Sequence, residues 1–312
     1  MVSEERAIGV DVGGTTTKAG VVDGAGKILS RLEVPTDPTA GTKGIIRAVE
    51  QLLDGLGGEP TGVGVGVAGF VDAARGVVTF SPNLAYDDPH IADALRTRVN
   101  VPVFVDNDAN AAVWGERSFG TARGLDHVAM LTLGTGIGSG FVVDGKLLRG
   151  KTGSAGEFGH LVIDPHGPVC PCGLRGCLEQ FASGGAIARA ARRAVQDDPG
   201  SSILNFAENA ASITGADVAH AAREMDETAR RVMREAGAAL GIGLVNIVNV
   251  FDPEVIVLGG GAVAAGEPFL GSARDTMNGM LAAQRRRPQR LDLALLGTDA
   301  GLVGAAALAL QP

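Results

Sequence analysis

Ile8-Gly-Val-Asp11-Val-Gly13-Gly14-Thr15-Thr16-Thr17-Lys18-Ala-Gly20-Val-Val-Asp23-Gly24 and Met130-Leu-Thr-Leu-Gly134-Thr135-Gly136-Ile-Gly138-Ser139-Gly140-Phe-Val-Val-Asp144-Gly145 share one grammar: strand, glycine/threonine turn, strand, turn. Aligned on Val-Val-Asp-Gly, the two copies set Val142 opposite Val21 and Gly134 opposite Gly13. Glycine at these turns lets backbone approach a ligand closely or take positive φ. Rows of backbone amides and threonine hydroxyls, with few carboxylates, make anion nests, so two such hairpins are suited to cradle a polyphosphate chain. One glycine-rich hairpin is commonly only a turn. Two matched copies half a protein apart predict a duplicated fold with a nucleotide in the cleft.

Outside the hairpins the chain alternates strands and helices. Thr42 to Gly55 carries apolar residues at helical spacing, and Val63-Gly-Val-Gly-Val-Ala reads as a buried strand. Val101-Pro-Val-Phe-Val-Asp106 is a further strand running into Asn107-Asp108-Ala-Asn110, a helix start with Asn107 or Asp108 suited to the cap. Long amphipathic helices are expected over Ala186 to Gln196 and Ala216 to Ile247. Val255-Ile-Val-Leu258 then enters Gly259-Gly260-Gly261, a turn that lets a flat ligand lie against backbone and suits the adenosine end of a nucleotide.

All three cysteines fall in Glu157-Phe-Gly-His160-Leu-Val-Ile-Asp-Pro-His166-Gly-Pro-Val-Cys170-Pro-Cys172-Gly-Leu-Arg-Gly-Cys177-Leu-Glu179. Three thiolates and one imidazole, from His160 or His166, complete a closed tetrahedral set for structural zinc. An odd number of cysteines cannot pair fully, and disulfide frameworks belong to short secreted chains. Buried core cysteines would not be expected to bunch among glycines and prolines. Carboxylates as close as Glu157 and Glu179 would be held rigidly by the metal loop, which points to a fixed polar binding surface.

The composition fits this reading. Length of 312 residues, 45% apolar and 20% charged, suggests two soluble globular domains. Against 35 acidic residues stand 27 basic ones, a net charge of −8, and no basic run exceeds Arg285-Arg286-Arg287, so nucleic acid is an unexpected partner. The start Met-Val-Ser-Glu-Glu-Arg lacks the pattern of a signal peptide and no apolar run is long enough for a membrane span, so a cytoplasmic protein is expected.

Asp11-Val-Gly13-Gly14-Thr15, Leu133-Gly134-Thr135-Gly136-Ile-Gly138, Glu157-Phe-Gly-His160, Cys170-Pro-Cys172-Gly-Leu-Arg-Gly-Cys177-Leu-Glu179 and Leu258-Gly-Gly-Gly261 resemble, in order, the motifs of the ROK family of sugar kinases and repressors, and closely its bacterial glucokinase branch. The likeness runs to Asp299-Ala-Gly-Leu-Val-Gly304, essentially the whole chain. The cysteine motif is highly specific; the hairpins are shared with the wider actin-like ATPase superfamily.

The resemblance implies two actin-like, ribonuclease-H-like α/β domains around a central cleft, a small one from 1–108 plus 299–312 and a large one from 109–298. It implies Asp108 as general base toward a hexose hydroxyl, and Asn83, Asn107, Asp108, Glu157, His160 and Glu179 as sugar contacts. It gives His160, Cys170, Cys172 and Cys177 as zinc ligands, which places His160 ahead of His166. ATP would meet Gly13, Gly14, Thr15, Gly134, Thr135, Gly136 and the Gly259-Gly260-Gly261 turn, with Asp11 orienting Mg²⁺ through water. Many relatives carry Lys directly after Gly-Gly-Thr, where this chain has Thr16, so a phosphate contact from Lys18 is left open.

The function expected is ATP-dependent phosphorylation of glucose to glucose 6-phosphate. Fructose, mannose or an N-acetylated amino sugar as acceptor, and polyphosphate as donor, are alternatives within the class. A sugar-responsive regulator is the alternative of another class; repressors of the family carry a helix-turn-helix module ahead of the kinase-like part, whereas here the first hairpin begins within ten residues of Met1. A homodimer is the default assembly, with a tetramer open. Loss of the metal is expected to loosen the sugar site first and to leave the hairpins at Gly13 and Gly134 formed.

Overall fold

A computed structural model describes residues 5–37, 39, 41–56, 60–81, 86 and 88–311, with backbone alone at 53, 55 and 56. The first half of the chain runs β1 (Arg6–Val12), β2 (Thr16–Asp23), β3 (Ile28–Pro35), α1 (Gly41–Leu56), β4 (Gly62–Val67), β5 (Phe70–Asp72), β6 (Val77–Phe80), α2 (Ile91–Arg96), β7 (Val103–Asn107) and α3 (Asp108–Phe119). Then come β8 (Val128–Leu133), β9 (Ile137–Val143), β10 (Lys146–Leu147), α4 (Glu179–Ala182), α5 (Gly184–Asp197), α6 (Gly215–Arg223), α7 (Glu227–Phe251), β11 (Val255–Gly259), α8 (Glu267–Ala283), β12 (Leu291–Leu293) and α9 (Ala300–Leu310).

One sheet has the order β3-β2-β1-β4-β7; the other, β10-β9-β8-β11-β12, repeats it position for position. In the first, β1 pairs antiparallel with β2 and parallel with β4, and β4 pairs parallel with β7. The repeat read from the hairpins is thus a repeat of topology. Packing divides the chain into two compact units: Met1–Met130, Gly140–Gly156 and Ala294–Pro312 form one, Leu131–Ser139 and Glu157–Leu293 the other.

Strand alternation decides what each face of the first sheet meets. Ile8, Val10 and Val12 of β1 share a core with Ile45, Val49 and Leu52 of α1. Ala7, from the other face, packs with Leu302 and Ala306 of α9. Helix α9 is apolar all round, as a helix buried on every side must be. It lies on backbone rather than side chains: a β-carbon at Gly64 of β4 would collide with the Ala305 carbonyl. Burying Ile8 and Leu302, both fully inaccessible, contributes roughly 1.5–3 kcal/mol each.

The span Ala216 to Ile247 forms two helices, not one continuous one. Met225 between them takes φ 68°, and the Asp226 carboxylate caps α7 by accepting from Ala229 N–H. Burial, the largest single effect, raises that carboxyl, but hydrogen bonds from Ala229 and Ser202 N–H and from the Ser201 hydroxyl together hold it below its usual range. No helix among the described residues is long and apolar enough to cross a membrane.

Candidate active site and metal cluster

In the first unit, the turn after β1 closes with Gly13 N–H donating to Thr16 O at 3.1 Å. Thr36, just past β3, holds it from the neighbouring strand: its hydroxyl donates to Gly13 O at 2.8 Å, its N–H to Thr15 O at 2.9 Å, and Thr17 Oγ1 lies 3.0 Å from Thr36 Oγ1. Alternation puts Asp11 on the α9 face, where a β-carbon at Gly301, in the first turn of α9, would collide with its carboxylate. Burial pushes the Asp11 carboxyl up to about 6; Lys18 opposes the rise and Asp299 adds to it. Lys18 Nζ donates to the Thr298 carbonyl at 2.6 Å, so its described partner is protein backbone.

The second element of this unit is the β7–α3 junction. Asn107 is the cap of α3, its Oδ1 accepting from Ala109 and Asn110 N–H at 2.8 and 3.0 Å, while its Nδ2 donates to Gly69 O at 3.1 Å. Asp108 opens the helix and Oδ1 accepts from Ala109 N–H at 2.9 Å. Sequence reading missed the side chain that fixes this turn, the buried carboxylate of Asp106. Its Oδ2 accepts from Arg149 Nε at 2.7 Å, and its Oδ1 from Asn110 Nδ2 and Asn107 N–H at 2.9 and 2.8 Å. Replacing either partner of such a network leaves a buried charge unpaired. The Tyr86 hydroxyl, buried without a hydrogen-bond partner among the described residues, is made a weaker acid by burial and by the Asp108 carboxylate. Asn83 lies outside the described residues.

In the second unit, Gly134 N–H donates to Gly136 O at 2.9 Å to close the turn between β8 and β9. Gly260, with φ 85°, leaves no room for a β-carbon against the Leu133 backbone, so the Gly259-Gly260-Gly261 turn adjoins this hairpin. The ligand atoms of His160, Cys170, Cys172 and Cys177 lie within 4.8 Å of one another. His160 supplies the imidazole, and His166 is not in the group. Cys172 and Cys177 Sγ stand 3.6 Å apart, as do Cys170 Sγ and His160 Nδ1. A disulfide would bring sulfurs to about 2.05 Å. Tetrahedral zinc at its ordinary bond lengths would hold two sulfurs about 3.8 Å apart and a sulfur and a nitrogen about 3.6 Å apart, so the four side chains are spaced to hold a metal ion. Behind them, Gln180 Nε2 faces Cys170 Sγ at 3.5 Å and Arg189 donates to Gln180 Oε1 at 2.8 Å. Sequence reading missed this supporting pair as well.

Glu157 opens the turn that carries His160; desolvation raises its carboxyl, with His160 opposing and Glu179 adding. Glu179 begins α4, and its Oε2 accepts from Ile137 N–H at 2.9 Å. The Gly134 hairpin, expected to lie away from the cysteine loop and to stay formed without the metal, is thus hydrogen-bonded to the segment that directly follows that loop.

The ROK family model matches residues 7–312. This chain belongs to the ROK family. It is 40% identical to a glucokinase of Streptomyces coelicolor over 98% of both chains, and 38% identical to one of Thermotoga maritima over 97% of this chain and 96% of that one. Its structure is similar, at a TM-score of 0.86 and 42% identity, to a ROK family glucokinase of Streptomyces griseus solved with glucose and AMPPNP, covering 98% of this chain and all of that one. The fold is accordingly the actin-like ATPase fold, and the repeated sheet order is its internal duplication.

Proposed function

We propose that this ROK-family chain transfers the γ-phosphoryl group of ATP to the 6-hydroxyl of glucose. Supporting it is the likeness, over almost the whole chain, to glucokinases, one of them solved with a sugar and an ATP analogue. The observation that carries it is the β7–α3 junction: Asp106 and Asn107 are committed to holding the turn, and Asp108 is the carboxylate it presents.

Asp108 takes the proton of the sugar hydroxyl as the new O–P bond forms and the bond from phosphorus to the ADP oxygen breaks. Phosphoryl transfer of this kind depends mainly on alignment and charge stabilisation, and a positioned base contributes ~10²–10⁴-fold. The hairpins at Gly13 and Gly134 offer backbone amides to the phosphates, and the Gly259-Gly260-Gly261 turn takes the adenosine. Mg²⁺, when bound with the nucleotide, supplies charge neutralisation at the phosphates. Asp11 would be the carboxylate that orients it.

Cys170, Cys172 and Cys177 through Sγ, and His160 through Nδ1, would hold a zinc ion, whose role would be structural because four protein ligands leave no open position. Binding through Nδ1 leaves His160 Nε2 to donate to a sugar hydroxyl. Glu157 supplies a further sugar contact, as does Asn83, and Asn107 adds one through the Nδ2 hydrogen that Gly69 O does not take. Since Glu179 Oε2 already accepts from Ile137 N–H, its part toward the sugar falls to Oε1.

Comparing kcat/KM across glucose, mannose, fructose and N-acetylated amino sugars, with ATP and with polyphosphate, tests the proposal. Glucose with ATP is expected to be the best pair. A hundredfold preference for another acceptor or for polyphosphate would replace it with that kinase, and no turnover with any pair would leave a regulator.

A further inference from the structure

The second hairpin is clamped by two short segments that also carry two of the four candidate metal ligands, His160 and Cys177. On one side is the three-residue turn Phe158–His160. Phe158 N–H donates to Ser139 Oγ at 2.9 Å, and Gly159 sits so close to the Ile137 carbonyl that a β-carbon would collide with it. The next residue is the ligand His160. On the other side is the segment from Cys177 to Gly185. Two residues past Cys177, Glu179 holds Ile137 N–H; further on, Gly184 N–H donates to Gly134 O at 2.8 Å and Gly185 N–H to Thr135 O at 3.2 Å. These hydrogen bonds to the tip from outside its own sheet all come from the two segments.

Neither segment is stable alone. A single 3₁₀ turn and the four-residue α4 are far below the length at which helix formation sustains itself. Leu178 N–H to Leu161 O at 2.8 Å and the Val162–Cys177 bridge tie them together, and Phe158 packs on Phe251 of α7 with ring centroids 5.4 Å apart. A metal bonded to both His160 and Cys177 would be the strongest of these ties.

We propose that the cysteine loop is a brace for the second phosphate hairpin, with Ser139, Gly159 and Glu179 as its positioning residues, so that the metal governs nucleotide affinity independently of sugar. The proposal rests on the nucleotide-binding role given above to the Gly134 hairpin. The first hairpin, held by Thr36 and Thr17 of its own unit, is the internal control.

The test is calorimetric binding of AMPPNP with Mg²⁺, without sugar, to the full chain loaded with one equivalent of Zn²⁺ and to the same chain stripped by a chelator, with hydrogen exchange on both forms. Stripping is expected to weaken AMPPNP about 5- to 30-fold, the loss of one or two hydrogen bonds' worth of positioning. Amides of residues 136–139 should lose protection while those of residues 13–17 keep theirs. Because stripping can unfold more than the loop, Ser139→Ala provides the second arm. It should keep its zinc and its melting temperature to within a few degrees, yet weaken AMPPNP about 3- to 10-fold. Equal AMPPNP affinity in stripped and loaded chains, or equal loss of protection at both hairpins, overturns the brace. No AMPPNP binding by the loaded chain overturns it together with the nucleotide role itself.

Discussion

The hairpin Gly13–Thr15 is held by Thr36, just past the neighbouring strand β3, and by Thr17 of β2, whereas Gly134–Gly136 is held from outside its sheet by a carboxylate, a helix start and a turn. Where the first carries Asp11, the aligned position of the second is Thr132. Duplication has kept the backbone grammar at both places and has let the supports diverge. One copy keeps a partly buried carboxylate of its own. The other is held by the segments that flank the cysteine loop.

The sharpest way to break this contrast is steric. Gly159→Ala forces a β-carbon into the Ile137 carbonyl, and overpacking against fixed backbone should cost about 3 kcal/mol or more in denaturant unfolding and weaken AMPPNP with it. Gly13→Ala meets only Thr16 O, at 3.0 Å, and should cost less than half as much. Similar costs at the two glycines would show that the second hairpin is no more confined than the first.

Asp11→Asn probes the charge that only the first hairpin carries. Turnover should fall about 10- to 100-fold, the usual consequence of losing an outer-shell partner of a metal. Stability should move the other way. A carboxyl at about 6 in the folded chain and 3.8 in the unfolded one binds its proton more tightly when folded, so its contribution is full below pH 3.8 and is lost as pH rises through 6. The wild type should therefore lose melting temperature relative to Asp11→Asn between pH 4 and 6. Parallel profiles would mean that Asp11 is not desolvated as the fold implies.

Smallest of the three is Thr36→Val, which keeps shape and removes the hydroxyl bond to Gly13 O. A loss of about 1 kcal/mol in AMPPNP binding is expected, the same whether or not zinc is loaded. A loss that appears only in the stripped chain would couple the first hairpin to the metal and dissolve the distinction.

Much of this was legible because it is local. The hairpins, the all-buried Val63–Val67 strand, α5 and the Asn107 cap announce themselves by periodicity and turn chemistry, and the metal quartet by three cysteines within eight positions. The break between α6 and α7 was not, because Arg223-Glu-Met-Asp contains neither glycine nor proline; a capping Asp226 was the available signal. Asp106 read as a strand end because Arg149, which pairs with it, is 43 residues away. The clamp on Ile137 was hidden for the same reason, since Glu179 lies 42 residues on and only the fold brings it there.

Asp108 is the base on which the proposed mechanism stands, and Asp108→Asn tests that proposal most directly: glucose binding by calorimetry beside kcat in a coupled assay with ATP. The amide keeps the shape and cannot take the proton, so glucose affinity should stay within about threefold while kcat falls at least about 100-fold. A variant that keeps more than about a tenth of the wild-type kcat would contradict the general-base role and, with it, the mechanism proposed for this chain.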